Sequence, residues 1–437
     1  MEDGSGEGDA HGGSGEGDAS GRALTRRGAL ALGAGGAGAL LAGVTGLLAA
    51  RSGDDGTPRV RETREAGRFD AGDAETVLGN RARAVRTGDR TAFLATVGSA
   101  PAAFQDAQSR LYANLRKLPL AGWREQAVTT QTVDEKDGVT IVRVKVRYKL
   151  RGFDRGDVVR IRYLALAQRS GAWTIVGDGS SHGFQDDAEI WDGGPLSVVK
   201  GRASLVIGDA AGLGEIARRL DEAVPAVSDV VGAGWARRAV ALVPADPGLA
   251  STLAGSGTGP GLGEIAAVAT AVPSAGPDRG ADRVVVSPGT FGRLNEIGRD
   301  VVLAHELTHV ATGAAHDRTT PEWLIEGFAD YVGYRGSKIG VRAAADELRR
   351  EVAAGRVPSA LPAAAAFGGG SPRLSQSYQE AWLACRMIAD RYGEATLVRL
   401  YRTAGRVREA AALRDVLRLT REGLTAQWRD YLKKELT

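Results

Sequence analysis

Apolar and polar positions change period several times along this 437-residue chain, and each change marks an element. From Asp73 to Leu118 apolar residues recur at three- and four-residue steps (Val77, Ala84, Val85, then Phe93, Leu94, Val97), which predicts helices. After Trp123 the period becomes two. Val139 to Tyr148 alternates apolar and polar residues, as a half-buried antiparallel strand does. Val158–Ala167 and Ala172–Val176 supply two more strands, and Gly177-Asp178-Gly179 ends the last. Helices followed by a meander imply an α+β unit over residues 70–190.

A second region, residues 195–437, mixes strands with longer helices. Leu205-Val206-Ile207 is followed by a helical stretch to Val231, a strand at Ala239–Val243 and a Gly-rich loop at Ala254–Gly263. Strands are predicted at Ala266–Val272 and Val284–Val286, on either side of the turn-rich Pro273–Asp282. An apolar helix over Leu294–Thr312 comes next, and an amphipathic one follows Pro321, with proline in its favoured first-turn position. Pro358–Pro372 reads as a loop beside the cleft. Ser377–Gly393, Glu394–Tyr401 and Ala410–Lys434 read as helices closing the fold.

The first seventy residues obey no such pattern. Residues 1–21 are acidic and Gly-rich, repeating GSGEGDA, and bury nothing. Arg26-Arg27 then precede an uncharged run from Ala29 to Ala50, whose 22 residues would span about 33 Å as a helix. Thr25-Arg26-Arg27-Gly28-Ala29-Leu30 resembles the twin-arginine export signal without its usual phenylalanine. Residues 22–50 are therefore expected to be a signal or a membrane anchor. Arginines ahead of the run place the remainder outside the membrane, beyond a charged linker at 51–69.

Composition narrows the chemistry. Hydrophobic residues make up 43% and charged residues 25%, enough apolar content for folded domains. The formal net charge of +3 comes from interspersed charges with no concentrated basic patch, so no nucleic-acid partner is expected. Cys385 is the only cysteine, so a disulfide within the chain and a cysteine-based metal site are both excluded. It lies among apolar neighbours and is expected to be inert core. Of the five histidines, His182 sits in a Gly/Ser-rich loop and reads as solvated.

His305-Glu306-Leu307-Thr308-His309 carries the chemistry. Residues four apart stack on one helix face, so two imidazoles can meet one ion, with Glu306 beside the open coordination position. A third ligand is still required. His316 is one residue out of step with HExxHxxGxxH, since the chain has Thr312 and Ala315 where that pattern needs glycine and histidine. Glu326 is favoured, four residues before Asp330 on one face of Glu322–Tyr331, while Glu322 is a weaker substitute.

This arrangement resembles the gluzincins, thermolysin-like zinc peptidases whose second helix supplies glutamate in an ExxxD pattern. The resemblance implies Zn2+ held by His305, His309 and Glu326, with Glu306 as general base and Asp330 orienting a ligand imidazole. Ser377–Gly393 is similar to the C-terminal helix of the peptidase MA-like subset, which makes Tyr378 a candidate oxyanion donor. In that family a peptide or protein substrate adds a strand to a sheet edge, and Ala266–Val272 is the nominated edge. Residues 70–190 resemble the nuclear transport factor-like cone, with a binding or spacer role expected. The expectation is thus a membrane-tethered or secreted zinc metallopeptidase of α+β fold. Its alternatives are an exported zinc- or protein-binding module without catalysis, and a zinc hydrolase acting on a non-peptide bond. Oligomeric state stays open.

Overall fold

A computed structural model describes residues 71–134, 138–255, 266–271, 281–368 and 371–437. The expected signal or anchor at 22–50 lies outside the described residues. Among those described, no helix is long and apolar enough to cross a membrane. The chain is α+β, with fourteen α-helices and two sheets among the described residues.

The first unit opens with α1 (Ala71–Thr87), α2 (Arg90–Ala95) and α3 (Ala102–Leu115). The long helical pattern is cut by Gly88, at φ 77, and by Asp89, whose side chain caps α2 by accepting from the Ala92 amide. Four antiparallel strands follow in the order β1-β2-β3-β4: β1 (Leu120–Asp134), β2 (Val139–Leu150), β3 (Val158–Arg169) and β4 (Ala172–Asp178). The alternation did not isolate β1 as a separate strand. Register shifts after Ala127 and Thr132 interrupt it, and exposed Arg124, Gln126 and Thr129 weaken its apolar signal.

Val142, Val144, Val146 and Tyr148 of β2 pack into the core with α1 and α3. The residues between them, Arg143, Lys145, Arg147 and Lys149, all point the other way, and Arg124 of β1 lies directly across from Arg147. The expectation of no concentrated basic patch is therefore corrected. A strand's period of two sorts alternating charges onto one face.

The second unit has five strands in the order β5-β6-β7-β9-β8. Here β5 (Ser197–Lys200), which the sequence reading lacked, and β8 (Ala267–Thr270) are antiparallel edges around β6 (Ser204–Gly208), β7 (Ala239–Val243) and β9 (Arg283–Val286), which run parallel. Two helices, α4 (Leu213–Val231) and α5 (Pro247–Leu253), lie among these strands in the sequence. After β9 come α6 (Pro288–Phe291), α7 (Glu296–Thr312), α8 (Glu322–Tyr334), α9 (Val341–Ala344), α10 (Asp346–Ala353), α11 (Leu374–Tyr392), α12 (Glu394–Ala404), α13 (Glu409–Leu417) and α14 (Arg421–Leu436). The single helix expected over Ala410–Lys434 is two helices. Arg418 turns left-handed at φ 60, and the Thr420 side chain caps α14.

The inner strands are apolar apart from Ser204 and Arg283 at their starts, because both faces of this sheet are covered. Val206, Ala241, Val284 and Val286 join the core built by α4, α7, α8 and α11. Leu205, Ile207, Val240, Leu242 and Val285 face the opposite way and join the core of the first unit. Buried Arg283 of β9 makes a bidentate pair with Asp154, in the β2–β3 connection, at 2.8 and 3.0 Å. The first unit is thus packed on the back of the sheet whose front supports α7.

Candidate metal centre

Asn295 starts α7 by accepting from the Gly298 amide, and Gly313, left-handed at φ 69, ends it. Leu303 and Leu307 are fully buried, so the helix has one possible rotation, and that rotation turns His305 and His309 toward α8. Their Nε2 atoms lie 2.9 Å apart.

α8 reaches this face because it carries glycine where it touches its neighbours. A Cβ on Gly333 would meet the Val301 carbonyl of α7 at 2.9 Å, and one on Gly327 would meet the Ala381 carbonyl of α11 at 2.3 Å. Each glycine costs about 1 kcal/mol of helix propensity relative to alanine, so close packing is the physical reason for its presence. Held this way, α8 presents Glu326 and Asp330, one turn apart, to the two histidines.

Glu326 Oε2 lies 3.2 Å from His305 Nε2 and 3.5 Å from His309 Nε2. These are ion-pair distances without hydrogen-bond geometry, and neither Glu326 oxygen has a hydrogen-bond partner. Asp330 Oδ1 accepts from His305 Nδ1 at 2.8 Å, which leaves Nε2 of that ring as the free electron-pair donor. His309 has no equivalent support: its Nδ1 is buried without a partner.

These residues fit a metal ion. Among the described residues, His305, His309 and Glu326 form a buried group with ligand atoms within 4.8 Å of one another. Sides of 2.9, 3.2 and 3.5 Å make a triangle with corners about 1.9 Å from its centre. That matches the ~2.0–2.2 Å typical of bonds from imidazole nitrogen and carboxylate oxygen to zinc, so the three residues could hold one ion together. Two neutral donors, one anionic donor and unpartnered carboxylate oxygens suit a divalent cation far better than an apolar filling.

Burial opposes charge on His305, but Asp330, Glu326 and Glu306 outweigh it and hold its pKa well above the ordinary value. Burial also opposes charge on Glu326, yet the two imidazoles keep it ionised, below the usual carboxylate range. Glu306 is fully buried, and desolvation pushes its pKa up to about 7 against the pull of both histidines. Its Oε2 accepts from the Ala269 amide of β8 at 2.6 Å, while Oε1 is unpartnered. The nominated strand is therefore a sheet edge and touches the centre through its backbone.

Tyr378, at the start of α11, is fully buried with its ring 6.2 Å from that of His305 and its hydroxyl unpartnered. Burial, then Glu326 and Asp330, raises its pKa well above the ordinary value, so it stays a donor. Phe367 packs edge-on against it at 5.2 Å, an anchor inside the expected loop. Glu322 is one turn before Glu326; burial and the Glu326 charge push its pKa up to about 8. His316 lies outside the group, with Nε2 3.6 Å from Asp282 Oδ1, so HExxH plus His316 is not the assembled set. Cys385 is buried against Gly327, and His182 is exposed.

The sequence reading missed the Ala269 amide, Phe367 and the two packing glycines. Glycine inside an apolar helical pattern was an available signal of close approach for Gly327 and Gly333. Comparison with protein-family models, curated proteins and solved structures gave no match.

Proposed function

We propose that this chain is a zinc-dependent hydrolase of peptide bonds, of the gluzincin kind, with the first unit a nuclear transport factor-like domain packed on a zincin-like one. The observation that carries the reading is the convergence of His305, His309 and Glu326 around one buried point with Glu306 alongside. A structural metal site has no use for an extra buried carboxylate in that place.

His305, His309 and Glu326 would hold the ion, and Asp330 fixes the His305 tautomer. A bound zinc would supply a Lewis acid for a carbonyl and lower the pKa of a water toward ~7. Glu306 takes the proton of the attacking water and gives it to the leaving amine. Burial raises the proton affinity of this carboxylate, in the direction a proton acceptor for water requires. The Ala269 amide holds the Glu306 carboxylate in place. Tyr378 keeps its proton and would donate to the developing oxyanion, an interaction worth ~3 kcal/mol in such sites. The outer edge of β8 offers an extended peptide a strand to pair with.

The test is metal content and turnover of wild type, Glu326→Ala, His316→Ala and Glu306→Gln. The expected result is one zinc per chain, lost with Glu326→Ala and kept with His316→Ala. Glu306→Gln should retain zinc and lose ~10²–10⁴-fold in peptide hydrolysis. No zinc under metal-replete conditions, or undiminished hydrolysis by Glu306→Gln, would overturn the reading.

A further inference from the structure

The outer face of the β1–β4 sheet gathers Arg124, Arg143, Lys145, Arg147 and Lys149. No acidic residue stands opposite them in the strand register. Across β1–β2, Arg124 faces Arg147, Gln126 faces Lys145, Thr129 faces Arg143 and Gly122 faces Lys149. Across β2–β3, Tyr163 faces Arg143, Ile161 faces Lys145 and Val159 faces Arg147. Arg124, Arg143, Lys145 and Arg147 take part in no ion pair among the described residues. The Nε atoms of Arg143 and Arg147 are also buried without a hydrogen bond. Like charges directly opposite on a sheet destabilise it, so the fold alone gives no reason for Arg124 facing Arg147. Tyr163, stacked on Phe184 at 5.0 Å, and Ile161 add aromatic and apolar surface among the cations.

We infer that this face docks on the anionic headgroups of a lipid bilayer. Charge complementarity selects an anionic partner and disfavours a second copy of this chain, whose identical face would be repelled. Bilayer phosphate is preferred to a free polyanion because of where the face sits in the chain. The uncharged run ends at Ala50 and the first helix begins at Ala71, so the linker spans at most ~70 Å fully extended. The inference rests on that run acting as a membrane anchor, the tethered form of the two expected from the sequence. Docking would then settle how the metal centre, on the far side of the shared core, stands relative to the membrane.

The experiment uses the full chain in vesicles. Cys385 is buried, so a thiol introduced by Thr129→Cys on the same face takes a fluorophore selectively. Quenching of that fluorophore by a lipid-borne quencher is compared in phosphatidylcholine vesicles with and without 30 mol% phosphatidylglycerol. The expected result is quenching that needs the anionic lipid and falls as salt is raised to ~0.5 M, where the Debye length drops to a few ångströms. Arg143→Gln/Lys145→Gln/Arg147→Gln should lower the docked-to-free ratio about a hundredfold, at roughly fivefold per cation near an anionic surface. Equal quenching in neutral vesicles, quenching unmoved by salt in wild type, or binding to a soluble polyanion with no signal on anionic vesicles would overturn it. Co-flotation with neutral vesicles at high salt reads the anchor independently of the face.

Discussion

Asp330→Asn isolates the role of a charge that touches the centre through one atom. In the wild type a buried carboxylate accepts from His305 Nδ1 at 2.8 Å. Asparagine keeps an acceptor oxygen there and removes the charge. Charge-assisted hydrogen bonds contribute ~1.5–3 kcal/mol and neutral ones ~0.5–1.5, so the change weakens support of the imidazole by about 1–1.5 kcal/mol. Zinc affinity should fall about tenfold, and Asp330→Ala, which removes the acceptor as well, should cost up to ~100-fold. The assay is competition with a chromophoric chelator between pH 6 and 8.5. The pH dependence has a definite sign. Asp330 also raises the proton affinity of His305, and a proton there would compete with the proposed metal, so wild-type affinity should climb with pH. Asparagine weakens that competition along with the metal bond. The deficit of the variant should therefore be largest at pH 8.5 and shrink as pH falls. Unchanged affinity at pH 8.5, or a deficit that grows toward pH 6, would refute the orienting role.

Gly327→Ala should destabilise the fold by about 1–3 kcal/mol in urea and weaken zinc binding, because its Cβ would lie 2.3 Å from the Ala381 carbonyl and push α8 off α11. Arg283→Met leaves Asp154 buried without its partner and should cost ~3–5 kcal/mol, with much of it recovered in Arg283→Met/Asp154→Leu; denaturant midpoints of wild type and the two variants check this. Glu380 is pushed up to about 7 by burial, which Arg373 only partly offsets. Its folded-state pKa exceeds the ordinary 4.5, so its contribution is full below that pH and is lost as pH rises through about 7. Glu380→Gln should thus gain ~2–3 kcal/mol over wild type at pH 8.5 and little at pH 4.5, read from urea melts at both.

The pair His305 and His309 was legible in the sequence because a helix repeats every 3.6 residues, and spacing within one helix is a local property. Glu326 and Asp330 were legible for the same reason, as a second pair one turn apart, though their partnership with α7 rested on a resemblance. The basic face was legible too. VRVKVRYK spells it in alternate residues, but a composition count averages over both faces of a strand and hides it.

Contacts between elements distant in the chain belong to the tertiary structure. The Ala269 amide on Glu306 spans 37 residues, and the Arg283–Asp154 pair spans 129. A backbone amide carries no residue-specific signature, and a buried ion pair looks like any other Arg and Asp until the chain has closed around it. The same holds for the choice between Glu326 and His316, both at plausible spacings from α7. Gly327 and Gly333 decided it by letting α8 approach within van der Waals reach, while His316 points away to Asp282. Periodicity in the sequence determined which face each element would bury. Only the packed chain decided which buried faces would meet, because that depends on the shapes of surfaces far apart in sequence.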